Sequence, residues 1–202
     1  MNTKQGTILN TRALALIIIF TALAAALNIY GPKIPFPFAP FLFFSFWEIP
    51  IVIAFLFVGP KAGISVSAIN TLILFAVFPG ALPTGPFYNW AAVLSMLLGI
   101  FVPYWFAKRR CKTENLGYYL RHHIALITVA STTLGVVLRV LVMTIVNYFA
   151  LQQPYPVGFS FPEIDVLLFL PVGAAFNAIV AVYTTLISIG ITVALMTRIK
   201  MQ

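Results

Sequence analysis

Five polar side chains stand where their surroundings are almost entirely apolar: Arg139, Asn147 and Asn177, with Glu48 and Asn89 each opening an apolar run. The stretch "TTLGVVLRVLVMTIVNYFAL", residues 132–151, places a permanent cation near the centre of a run that nothing hydrates. An arginine there costs about 3 kcal/mol on insertion scales and ~10 kcal/mol in simulations of a bare helix, so it must face protein rather than lipid. At ~100° per residue Asn147 lies about 80° round from Arg139 and ~12 Å further along the helix, with Met143 between them. The neighbouring Tyr148 adds a hydroxyl. Amide side chains donate and accept together, which suits a neutral heterocycle bearing C=O and N–H groups. Arg139 has three openings: a pair with Glu48, a ligand, or another subunit. The blander reading of an intramembrane Asn is a tie between helices worth ~0.6 kcal/mol, and it applies most directly to Asn70.

The elements that must hold these groups follow from composition. The chain has 202 residues, 61% hydrophobic and 8% charged. Soluble domains carry roughly 25% charged residues, so the solvent here is lipid. The fold expected is an all-α integral membrane protein, one membrane domain over 1–202. Six spans are expected, at about 13–30, 46–58, 62–78, 87–107, 124–151 and 166–196. The first is too long for a signal-peptide core and is read as retained. The second is too short to cross lipid alone, and its flank "IPFPFAPFLFFS" is apolar and Pro-rich. Non-helical backbone at membrane depth is tolerated only when buried in protein or lining a cavity.

Orientation comes from Lys and Arg. With the N-terminus inside, ten of the twelve fall in inner segments, Lys33 alone lies outside and Arg139 is within the membrane. That bias places both termini in the cytoplasm, and it makes the +8 net charge a topology signal rather than a nucleic-acid one. The outer segments 31–45, 79–86 and 152–163 are rich in Pro, Gly and aromatics. They read as shaped loops forming a lid over an aromatic-lined pocket. The cluster "KRRCK" anchors the fourth span inside, where it can also meet anionic lipid. Cys111 reads as an inert thiol, and His122 and His123 as surface residues rather than metal ligands. The chain holds no phosphate loop, no G-x-S-x-G, no H-E-x-x-H and only four carboxylates, which argues against a hydrolase or transferase. The inner half of the spans looks almost purely apolar, unlike the lining of a channel.

Four segments, in this order and spacing, carry a family resemblance: "FWEIPIVIAFLFVGPKAG", "GPFYNW", "VLVMTIVNYFAL" and "AAFNAIV". The chain resembles the S components of energy-coupling-factor (ECF) vitamin transporters, and within them the riboflavin-specific branch. The resemblance implies a vitamin-binding subunit of an importer in a prokaryotic plasma membrane, without enzymatic activity or cofactor and with riboflavin as transported ligand. It also implies a transmembrane scaffold subunit and two ATPases as partners. Asn147 and Asn177 match positions that hydrogen-bond the flavin ring in relatives, and Asn89 and Glu48 match polar positions of the same motifs. Tyr148, Arg139, Phe41 and Phe44 complete the expected binding set. Ala22 and Ala26 match small residues that pack on the scaffold. Two positions depart from the riboflavin pattern: Val180, where relatives often carry Lys or Gln, and Arg139, where they carry a small residue. Another vitamin or precursor therefore stays open, such as pantothenate, thiamine or a further anionic ligand. A small membrane enzyme or scaffold is the alternative from another class.

Overall fold

The computed structural model describes residues 11–77, 82–110 and 123–198. Cys111, His122 and the basic residues Lys4, Lys112, Arg121 and Lys200 lie outside them. Six helices form a bundle: α1 (Thr11–Tyr30), α2 (Glu48–Phe57), α3 (Pro60–Val77), α4 (Gly85–Arg110), α5 (Ile124–Leu151) and α6 (Glu163–Arg198). All but α2 are long and apolar enough to cross a membrane. The expected lid segment is not an irregular loop. Ile34–Phe36 (β1) and Ala39–Phe44 (β2) pair antiparallel as a hairpin. The Pro- and Phe-rich sequence there leaves few backbone donors unpaired, and the hairpin packs on α6.

The short helix α2 is the centre of the fold. All ten of its residues are buried, and α1, α3, α4 and α6 surround it. A helix apolar all round belongs inside protein. At ~1.5 Å per residue α2 is only about 15 Å long, half a hydrocarbon core. Its Glu48 end therefore stops within the membrane, and α6 satisfies the polar backbone there. Tyr183 Oη donates to the Ser45 carbonyl at 2.6 Å, and Ser188 Oγ donates to the Ile49 carbonyl at 3.3 Å.

The turn from α2 into α3 explains the G-P-K-A-G run. Gly59 has φ +138°, a conformation that side chains rarely adopt. Pro60 opens α3, where its missing N–H costs nothing. Gly63 lets α3 lie directly on α2: an added Cβ would stand 2.4 Å from Phe55 Cβ and 2.7 Å from Phe55 Cα. Gly63→Ala is expected to destabilise the protein by about 1–3 kcal/mol, the usual range for overpacking. Thermal unfolding in detergent checks this; an unchanged midpoint would show that the two helices can part without loss.

One expectation about the interior fails. The inner half of α6 is not purely apolar: Thr184, Thr185, Ser188 and Thr192 are buried there. The hydroxyls of Thr184, Thr185 and Thr192 have no protein partner. Thr184, Ser188 and Thr192 recur one turn apart, a polar stripe in an otherwise apolar run.

Candidate functional site

Arg139 sits at the level where α2 begins. It is 12 residues below the outer end of α5, about 18 Å at ~1.5 Å rise. The residue is 3% exposed, and its guanidinium makes a closed set of contacts. Nη2 donates to Glu48 Oε1 at 2.9 Å and Nη1 to Glu48 Oε2. Nε donates to Asn177 Oδ1 at 3.0 Å, and Met96 Sδ lies 3.8 Å from Nη1. Asn177 in turn donates from Nδ2 to the Gly173 carbonyl at 2.9 Å. Four helices thus meet in one buried cluster. Glu48 is 4% exposed and sits in the first turn of α2, where the helix dipole favours an anion. The two-pronged guanidinium–carboxylate geometry is the strong form of this pair. Of the three openings the sequence left for Arg139, the structure fills the first. Glu48 is also deeper than its place at a helix start suggested.

Above this floor the groups diverge by level. Asn89 on α4 is seven residues, two helical turns, outward of Met96 and so on the same face. Asn89 is nevertheless exposed. Asn147 on α5 is half-buried and stands against α6: its Nδ2 is 3.4 Å from where a Cβ on Gly173 would be. The three amides and the carboxylate do not form one cluster. Asn177 and Glu48 belong to the floor with Arg139, while Asn147 and Asn89 stand higher as walls. Tyr148 turns away from the floor and donates from Oη to Glu163 Oε1 at 2.7 Å.

The hairpin makes the roof. Phe44 stacks on Phe176 with centroids 5.3 Å apart, and Phe36 reaches the same ring at 5.6 Å. Phe41 lies 5.7 Å from Phe169 while remaining largely exposed. Such ring pairs add about 0.5–1.5 kcal/mol each beyond their buried area, which holds the hairpin on α6. The far side is closed by the segment between α5 and α6. Thr84 Oγ1 donates to the Pro156 carbonyl at 2.9 Å and Tyr88 Oη to the Val157 carbonyl at 2.6 Å. Val180, one turn below Asn177, is buried in the core. A separate, almost wholly apolar cavity opens at the inner end between Leu56, Tyr104, Ile127, Ser131 and Ile189; it holds none of the expected site residues.

Sequence reasoning passed over Met96 and the Ser67–Trp90 pair. Met96 flanks the guanidinium, and no spacing rule marks a methionine for that position. Asn70 is fully buried with neither amide atom partnered by protein, so it is not the helix tie expected. Below it Ser67 Oγ accepts from Trp90 Nε1 at 3.2 Å and carries the α3–α4 contact instead. On α1, Ala22 and Ala26 fall on the exposed face, opposite buried Ile17, Thr21, Ala24 and Ala25. Among the described residues no three His, Cys, Asp or Glu side chains gather as a metal-holding group.

No protein-family model matches the chain. Over 133 residues it is 29% identical to the riboflavin transporter RibU of Staphylococcus aureus (strain TCH60), a match covering 65% of this chain and 62% of that protein's length. The chain therefore spans under two thirds of the curated relative it matches. A solved structure described as the S component of a bacterial ECF transporter superposes with a TM-score of 0.70. The superposition covers 93% of this chain and 97% of that one at 24% identity. The fold is accordingly that of an ECF S component, a multi-pass bundle of six helices.

Proposed function

We propose that the protein is the substrate-binding S component of an ECF-type importer, a transport subunit rather than an enzyme, and that its ligand is riboflavin. One observation carries the reading: the half-length helix α2 opens on the buried Glu48–Arg139–Asn177 cluster, and the aromatic hairpin rests on Phe176, the residue next to Asn177. Discontinuous helices at mid-membrane are where transporters place ligands. Asn147, Asn177 and Asn89 supply paired donors and acceptors for a flavin's C=O and N–H edge, and the roof rings supply a face for a planar ring system. The sequence match to a riboflavin transporter supports the choice of vitamin.

Energy must come from partners. A scaffold subunit and two ATPases are the partners this fold's family implies, and the exposed small residues Ala22 and Ala26 give α1 a surface that a scaffold helix can approach closely. Both termini lie in the cytoplasm of a prokaryotic cell on the Lys/Arg bias, which puts the hairpin on the outside.

The test is optical. Protein purified in detergent from cells grown with riboflavin is expected to carry flavin absorbance bands, and the emptied protein to quench the fluorescence of added riboflavin. Asn147→Ala is expected to weaken binding about ten-fold, as the loss of one well-formed hydrogen bond would. A colourless protein that leaves riboflavin fluorescence unchanged would sink the assignment of vitamin.

A further inference from the structure

We propose that Glu48 sets the charge selectivity of the site: paired with Arg139 it makes a floor of zero net charge, so the pocket takes uncharged ligands and turns anions away. The inference rests on the binding-subunit reading above and adds a rule about the substrate class.

An arginine at the base of an outward chamber would by itself be an anion receptor. Here its charge is already spent. Both Nη atoms meet the Glu48 carboxylate, Nε meets Asn177, and Met96 Sδ flanks Nη1. Arg139, Glu48 and Asn177 are 3%, 4% and 5% exposed, so water contributes little. An anionic ligand could use the guanidinium only by displacing Glu48, which would leave a carboxylate bare in a low-dielectric interior. Removing one partner from a buried pair in this way is strongly unfavourable, and a charge stranded by the wrong ligand is an effective means of rejection. On that side α6 opens with Glu163 and Asp165, which add negative charge. What remains to the ligand is amide chemistry. Asn177 has a second N–H beyond the one given to Gly173, and Asn147 and Asn89 stand above it. These recognise an uncharged edge of C=O and N–H groups.

Glu48→Gln keeps the shape of the side chain and exposes the pocket to an uncompensated guanidinium. The full-length protein in detergent would be titrated calorimetrically with riboflavin, riboflavin 5′-phosphate, pyridoxine and pantothenate. Wild type is expected to bind a neutral probe and to ignore pantothenate. In Glu48→Gln the affinity ratio of riboflavin 5′-phosphate to riboflavin should rise about ten-fold or more, as one unit charge at roughly 10 Å would give at an effective dielectric near 20. The neutral pair Glu48→Gln/Arg139→Gln should return the ratio to the wild-type value.

Riboflavin binding with a ratio unmoved by Glu48→Gln overturns the charge rule and leaves the riboflavin assignment standing. Wild-type binding of pyridoxine without riboflavin does the reverse. Pantothenate bound by wild type more tightly than either neutral probe overturns the charge rule and the vitamin assignment together, and binding of no probe removes the site itself. Should Glu48→Gln not fold, the wild-type titrations and a doubly substituted protein that gains affinity for the phosphate ester would still decide against the rule, and their agreement with wild-type preference for it.

Discussion

Arg139→Met is expected to lower the stability of the protein in detergent by about 3–5 kcal/mol, the usual cost of stranding one member of a buried ion pair. The methionine fills most of the arginine's volume, so the loss is not one of packing. It arises because Glu48, 4% exposed, keeps its carboxylate with both former donors gone, while Asn177 Oδ1 loses the only bond recorded for it. The double substitution Arg139→Met with Glu48→Gln should be less destabilised than Arg139→Met alone, since the charge that suffers most has been removed. A double-mutant cycle isolates that coupling, and residues in direct contact typically couple by about 0.5–3 kcal/mol. Thermal unfolding followed by tryptophan fluorescence gives all four corners of the cycle. Zero coupling would mean that the two side chains do not meet in the membrane, and the floor described above would not exist.

The ion pair also shows how far the residues themselves lead. A cation in the middle of an apolar helix demands a partner, and the chain holds only four carboxylates, so Glu48 could be named from the sequence. Its depth could not. That depends on α2 being ten residues long and enclosed by other helices, which is a property of the bundle and not of the run. The spans were legible because a hydropathy profile and a Lys/Arg bias are local signals, and the fifth was placed at 124–151 as observed. The hairpin was not, because Pro-rich aromatic sequence reads equally as coil; Phe36 and Phe44 rest on Phe176, a contact that the sequence does not report. Asn89 was expected to face the bundle interior as a polar residue at membrane depth, and it is exposed. No single-sequence signal reports that. Tyr148 was grouped with Asn147 through adjacency, yet neighbours on a helix point about 100° apart, and Tyr148 takes Glu163 instead.

These misreadings share a cause. The floor and walls are on α2, α4, α5 and α6, and their convergence is set by how closely those helices cross, which only the packed structure fixes. One residue controls the α4–α5 crossing. Gly99 faces α5 so closely that an added Cβ would lie 2.4 Å from the Leu134 carbonyl oxygen and 2.5 Å from the Gly135 nitrogen. Both are backbone atoms of a hydrogen-bonded helix and have no rotamer to escape into, so Gly99→Ala must push the helices apart. The expected cost is about 1–3 kcal/mol, the range for overpacking in a well-filled core. The displacement also moves Met96 and Asn89 on α4 away from Arg139 and Asn147 on α5, so riboflavin binding should weaken with it. Gly135→Ala, at the same crossing, is the control. Its Cβ would meet the flexible Met96 Cγ at 3.5 Å, an ordinary contact, and alanine's better helix propensity offsets what strain remains by up to about 1 kcal/mol. Unfolding midpoints and flavin titrations on the two variants should therefore separate: Gly99→Ala loses stability and affinity, and Gly135→Ala keeps both. If the two behaved alike, the asymmetry of this crossing would be wrong, and with it the account of how the walls are held over the floor.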